Sequence, residues 1–233
     1  GLERGAKAVL GVLIACAAAG IIIGVVTKTG VGLRLASGLI EMAGGMLLPA
    51  MFFTMITAIV LGMGVPTTAN YVITSTIAAP ALVQMGVPIL AAHMFVFYFG
   101  IIADVTPPVA LAAYAGAGIS GGNALKTGVH ASKLAIAAFI IPYIFVLSPV
   151  LLMVDATPLS LILATLSALA GMIAVSSALC GFLADHCRLY ERVLLIVAGL
   201  LMIKPGGTTD LIGCALFAVI LVMQYMRVKK AAI

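Results

Sequence analysis

The chain has no tryptophan, 4 cysteines and only 7 acidic residues in 233, and charged residues of both signs make up 8% of it. Water-soluble domains carry roughly 25% charged residues, so this composition excludes an ordinary soluble surface. The 12 Lys and Arg residues give a net charge of +5, but they lie scattered at the ends of apolar runs, which excludes a nucleic-acid footprint and reads as topology signal. Cys16, Cys180, Cys187 and Cys214 have neither zinc spacing nor a dense disulfide pattern and read as small packing residues. The glycine-rich 116–122 stretch lacks a following Lys-Ser/Thr, so no phosphate-cradling loop is present and the chain does not itself use ATP. Without tryptophan, Tyr143, Tyr190 and Tyr225 are left as the interface anchors.

Hydrophobic residues, at 64% with a mean hydropathy of +1.31, make the chain an integral membrane protein. Apolar runs of helical length recur along it, whereas membrane strands alternate apolar and polar residues over about ten positions, so the class is all-α and polytopic. Residues 8–26 are nineteen uncharged positions, one complete crossing. Residues 33–43 carry Arg34, Ser37 and Glu41 and read as an interfacial helix. Residues 118–133 read as a Gly-rich basic surface segment, 134–153 and 159–182 as crossings, and 185–192 as a polar surface cluster. The runs 193–203 and 211–225 flank Lys204-Pro205-Gly206-Gly207 as two thin crossings or a second hairpin. The opening Gly1-Leu2-Glu3-Arg4, without Met or a signal peptide, is expected of a piece of a longer protein.

Two places interrupt the apolar pattern where a helix would lie at membrane depth. Residues 46–61 and 69–84, sixteen each, are joined by Gly62-Met63-Gly64-Val65-Pro66-Thr67-Thr68, the shape of a re-entrant helical hairpin. Asp104-Val105-Thr106-Pro107-Pro108 breaks the stretch 89–118 into a discontinuous helix. With the hairpin entering and leaving on one side, Arg4, Lys7, Lys126, Lys133, Arg188, Arg192, Arg227, Lys229 and Lys230 share a side opposite Lys28 and Arg34. The positive-inside bias makes that side, and the C-terminus, cytoplasmic.

Paired breaks at membrane depth point to an ion or substrate site. Thr67, Thr68 and Thr106, with carbonyls freed at Gly62, Gly64 and Val65, form the all-oxygen, low-charge set that a partly dehydrated Na⁺ takes; equally, the threonines can re-satisfy the broken backbone. Asp104 is the one acid deep in an apolar segment, at a cost of about 3 kcal/mol on insertion scales. It reads as a cation ligand or proton carrier, or as the cap of a half-helix starting near Pro107. His93 reads as a satisfied histidine, His130 and His186 as surface residues without zinc partners, and the methionines at 42, 46, 51, 55 and 63 as packing. An intramembrane aspartyl enzyme would need a second facing carboxylate, which Glu41, Asp155, Asp185 and Asp210 are not placed to give.

The stretches Gly62-Met-Gly-Val-Pro-Thr-Thr-Ala-Asn-Tyr71, Ala91-Ala-His-Met-Phe-Val-Phe-Tyr-Phe99 and Asp104-Val-Thr-Pro-Pro-Val-Ala-Leu-Ala-Ala-Tyr114 together resemble the large membrane subunit of TRAP (tripartite ATP-independent periplasmic) transporters. The tail from Glu191 through Lys204-Pro205-Gly206 resembles the fused-permease branch that works with TAXI-type solute-binding proteins. The resemblance implies a Na⁺-driven, elevator-type importer of organic acids in the cytoplasmic (inner) membrane, built from two inverted repeats, with proton coupling as the alternative. On it, residues 1–153 are the second repeat, with the outer hairpin at 46–84 and the broken helix at 89–118, and 154–233 are a C-terminal membrane extension. The implied partners are a periplasmic TAXI-type binding protein, the remaining repeat and small-subunit-like helices. The implied ion and substrate residues are Gly62, Gly64, Val65, Thr67, Thr68, Asp104, Thr106 and Pro107, with Gly62, Thr68 and Thr106 as Na⁺ candidates and no other cofactor.

Overall fold

A computed structural model describes residues 2–107, 110–203 and 206–231. Pro108 of the helix break, Lys204-Pro205 of the final turn, and the side chains of Arg4, Lys7, Cys16 and Lys230 lie outside the described residues. Among the described residues the secondary structure is helical, with no strand and one isolated bridge between Phe182 and His186. By length and composition three helical stretches can cross a bilayer, Ala124–Leu147, Pro158–Cys180 and Gly207–Lys229, or four if the bent pair Gly20–Val26 and Val31–Met42 is one span. The protein is thus the expected all-α membrane chain. It divides into two compact units, 1–132 and 133–233. The boundary at 153 concerns repeat ancestry, which compactness does not address.

In the first unit α1 (Leu2–Thr29) contains the uncharged 8–26 stretch, and Gly30, at φ 67°, turns the chain into α2 (Val31–Met42). The hairpin follows as α3 (Leu47–Gly62), α4 (Thr67–Ile77) and α5 (Ala79–Gln84). The second arm, expected continuous to 84, is broken at Ala78 because Pro80 cannot donate to the Thr76 carbonyl. That carbonyl lies against Gly32 of α2, where a Cβ would come within 3.2 Å. α6 (Ile89–Ile102) packs on α3 and α4, and its Phe95 and Phe99 are fully buried. A 3₁₀ turn (Ala103–Val105), α7 (Leu111–Ser120) and α8 (Ala124–Leu134) complete it.

The segment read as surface at 118–133 is mostly exposed and contains most of α8. Gly121, at φ 69°, ends α7, and the Asn123 side chain then caps a new helix by accepting from the Lys126 N–H at 3.0 Å. The crossing expected at 134–153 becomes part of the candidate span Ala124–Leu147 and ends sooner: α9 (Ile136–Leu147) stops at Ser148, before a 3₁₀ turn at Pro149–Leu152.

In the second unit α10 (Pro158–Cys180) opens with a capping box between Thr157 and Ser160. α11 (Leu189–Ile203) packs between α10 and α12 (Gly207–Ala231). Small residues set these contacts: a Cβ on Gly199 would lie 2.7 Å from the Gly171 carbonyl oxygen, and one on Gly213 would lie 2.8 Å from that of Ala198. Without a hydrophobic drive between helices in lipid, such close approach supplies the packing attraction. The final pair is unequal: α12 has 25 residues and is long enough to cross alone, because Asp210 in its first turn suits the positive helix end and so extends the helix beyond the apolar run. Cys180 and Cys214, read as packing residues, are exposed on this unit, whereas Cys187 packs against its core.

The 185–192 cluster is a second correction, since Glu191 is only 1% exposed. Its carboxylate accepts from the Arg188 N–H at 3.0 Å, Gln224 Nε2 at 2.9 Å and the Tyr190 hydroxyl at 3.2 Å, and it pairs with Arg227. Gln224 Oε1 in turn accepts the N–H groups of Ala184 and Asp185, and Arg192 donates to the Ala178 and Leu179 carbonyls at the end of α10. Burial pushes the Glu191 carboxyl up, but these hydrogen bonds and Arg227 outweigh it and hold it below its ordinary 4.5. A carboxyl depressed in the folded state stabilises fully above its unfolded pKa and loses that contribution as pH falls through the folded value. The melting temperature is therefore expected to drop as pH falls below 4.5, and this drop should be smaller in Glu191→Gln. Equal pH profiles for the two proteins in detergent would contradict it.

Candidate ion and substrate site

The hairpin tip is dictated by its turn residues. Met63 is extended, Gly64 takes φ 72°, which suits glycine, and Pro66 pre-sets the entry to α4. The carbonyl end of α3 thereby meets the amide end of α4 across a few residues. Backbone bonds there are long, with the Met63 and Val65 N–H groups each 3.4 Å from their acceptors, Val60 and Gly62. Thr67 and Thr68, the first two residues of α4, are exposed at the tip, as is Gly64, and neither threonine hydroxyl bonds to a described residue.

At the helix break the threonine does what a broken backbone needs. The Thr106 hydroxyl donates to the Ile102 carbonyl at 2.8 Å, and Ser132 of α8 donates to the Val105 carbonyl at 3.1 Å. Pro107 rests on α8 where Gly128 leaves room: a Cβ there would lie 3.1 Å from the proline ring and 3.3 Å from Ala110. Ala110 is fully buried with φ 37° and ψ 45°, a left-handed conformation costly to a non-glycine residue and held by its surroundings. The cap reading of Asp104 fails, because α7 starts at Leu111 with Ala110 as its N-cap. Asp104 sits half-buried in the 3₁₀ turn, and its carboxylate meets no partner among the described residues.

The fold brings the two breaks together. α3 runs along α6 and touches the 103–105 turn. A Cβ on Gly62 would lie 2.6 Å from the Gly100 carbonyl oxygen and 2.8 Å from Asn70 Nδ2, and one on Gly100 would lie 2.6 Å from Asn70 Oδ1. Asn70 is 3% exposed and its Oδ1 has no donor; the fully buried Thr54 Oγ1 likewise has no partner. Each unsatisfied buried polar atom costs about 1–3 kcal/mol; of the two, Asn70 Oδ1 is the one at the hairpin tip, against Gly100. Sequence reading passed over Asn70, Gly100, Thr54, Gly128 and Ser132; the one available signal was the lone glycine at 100 inside an aromatic-rich helix, a sign of close backbone approach. His93 bonds Tyr71 at 3.0 Å, the satisfied histidine expected.

A family model, "Tripartite ATP-independent periplasmic transporter, DctM component", matches residues 1–160, more than half the chain. The chain belongs to this family. No curated protein and no solved structure matches it. As a DctM component the protein is a multi-pass transporter permease and not an enzyme, and membership implies association with a periplasmic binding protein and the other TRAP components. The hairpin and the helix break both fall inside the matched residues, whereas most of α10 and all of α11 and α12 lie beyond them.

The Gly62–Gly100–Asn70 contact leaves no space for a methyl group. Gly100→Ala is expected to destabilise the DctM chain by about 1–3 kcal/mol through overpacking. Gly116→Ala, inside α7 with nothing within 4 Å, should not lower its melting temperature. Indistinguishable melting of the two variants in detergent would show that α6 is not seated on the hairpin tip as described.

Proposed function

We propose that this chain holds one Na⁺ site and part of the substrate cavity of a Na⁺-coupled importer of small organic acids in the bacterial or archaeal cytoplasmic membrane. The observation that carries the reading is the polarity of the hairpin tip. Carbonyls at the end of α3 favour a cation, unspent N–H groups at the start of α4 favour an anion, and Gly62–Pro66 holds the two a few residues apart beside the α6 break. A transporter that moves a carboxylate with Na⁺ needs such a pair of complementary helix ends.

In this reading Gly62, Thr68 and Thr106 supply oxygens to Na⁺, and the orphaned Asn70 Oδ1 adds a hard, neutral oxygen to the set. Thr67 and the amides of α4 face the substrate carboxylate, while Gly64, Val65 and Pro107 shape the tip and the break. The organic acid arrives on a TAXI-type binding protein, and the remaining repeat and small-subunit-like helices supply the other half of the cavity. The excess of basic residues on one side supports a cytoplasmic C-terminus and a hairpin that enters the membrane from the outer face. A second reading, proton coupling, is favoured by one observation, the unpartnered half-buried carboxylate of Asp104.

Uptake of an organic acid into proteoliposomes by the complete transporter, with its binding protein, separates the two readings. Na⁺ coupling predicts uptake that requires an inward Na⁺ gradient. Thr106→Ala should then raise the Na⁺ concentration needed by about tenfold, the equivalent of 1.4 kcal/mol in ligand contact. Asp104→Asn should leave the Na⁺ dependence intact. Uptake indifferent to Na⁺ but abolished by Asp104→Asn would establish the proton reading instead.

A further inference from the structure

The second unit contains a cavity of about 270 Å³ that the transport site does not use, with most of its walls beyond the residues matched by the DctM family. It lies where the C-terminal ends of α9 and α11 meet the N-terminal ends of α10 and α12. Leu151, Leu163 and Ile203 make apolar walls, and Ser148, Ser167 and Asp210 are polar groups within it.

The hydrogen-bond accounting shows what the cavity lacks. The Ser167 hydroxyl is shared between the Met202 carbonyl and Asp210 Oδ1, both at 2.9 Å. Ser160, also on the wall, is spent on the Thr157 cap. Asp210 Oδ2 has no partner among the described residues, and Ser148, only 7% exposed, lines the cavity with a hydroxyl that has no described partner. The first turn of α12 suits an acidic residue at 210, but it leaves the second carboxylate oxygen unspent. A carboxylate oxygen and a hydroxyl between apolar walls fit a compact ammonium group on an apolar body.

The position of the cavity says where such a group comes from. Leu163 both lines the cavity and is 58% exposed, on the same helix as the outward-facing Leu159, Ile162 and Leu166. The cavity therefore opens sideways from the bundle at the end of two candidate spans, the level at which lipid headgroups lie. We infer that the cavity between the ends of α9 and α11 and the starts of α10 and α12 binds an ethanolamine-type phospholipid, its ammonium on Asp210 and Ser148 and its chains along Leu163. The transmembrane unit would then carry a built-in site for an abundant lipid, independent of the ion site.

Native mass spectrometry of the full chain, purified from nanodiscs of equal anionic content containing either ethanolamine or choline phospholipid, tests this. The expected result is retention of ethanolamine lipid by the wild type, reduced about tenfold by Asp210→Asn and less by Ser148→Ala, with choline lipid not retained. Asparagine keeps an acceptor for Ser167, and an unchanged melting temperature certifies the fold of both variants. Excess butylammonium should release the lipid while butanol and butyrate do not. Equal retention of the two lipids, retention unaffected by Asp210→Asn, or release by all three additives alike would overturn the proposal. Retention of free butylammonium with no retained lipid would overturn the lipid source.

Discussion

In a bilayer a backbone N–H or C=O released from a helix has no water to turn to, and each one left alone costs several kcal/mol, so every interruption of a membrane helix has to be answered by a specific partner. The described partners around residues 102–110 are of this kind. Thr106 bonds back to Ile102, Ser132 reaches across from α8 to Val105, and Ala110 accepts a left-handed backbone so that α7 can start again. A helix break of this cost persists only where the surrounding packing enforces it, and here α8 and α3 both press on it.

The same constraint explains why glycine recurs at contacts that otherwise have little in common. Gly62 and Gly100 let the hairpin tip and α6 approach backbone to backbone with the Asn70 carboxamide against both, and Gly171, Gly199 and Gly213 let α10, α11 and α12 do the same. With lipid tails as apolar as leucine, close approach replaces hydrophobic burial as the source of attraction. What differs is the polar group admitted. The second unit answers its buried carboxylate, Glu191, with Gln224, Arg227 and a backbone N–H, whereas the hairpin leaves Asn70 Oδ1 and Thr54 Oγ1 unanswered. An answered polar cluster is architecture; the proposed ion and substrate site draws instead on the unanswered Asn70 Oδ1 beside two helix ends of opposite polarity.

Composition alone was enough for the class of the chain: 64% hydrophobic residues in helix-length runs leave no alternative to a polytopic helical membrane protein. The hairpin, its Gly62–Thr68 tip and the break after Asp104 were equally legible, because glycine, proline and threonine interrupt apolar runs for local reasons that act wherever the segment lies. The arms at 46–61 and 69–84 correspond to α3 and to α4 with α5 for that reason. Local signals also misled: the glycines at 118–122 hid α8, which an asparagine cap restarts, and the charges of 185–192 hid a buried glutamate.

The sequence by itself therefore determined what each segment is, since periodicity, breakers and caps act over a few residues. Tertiary structure decided which segments meet: that Gly62 and Gly100 touch with Asn70 against both, that Ser132 serves Val105 from 27 positions away, and that Glu191 finds Arg227 36 positions on. Long-range pairs of this kind carry no local signature, because the hydrogen bond or the missing Cβ that makes them possible acquires meaning only once the helices are packed.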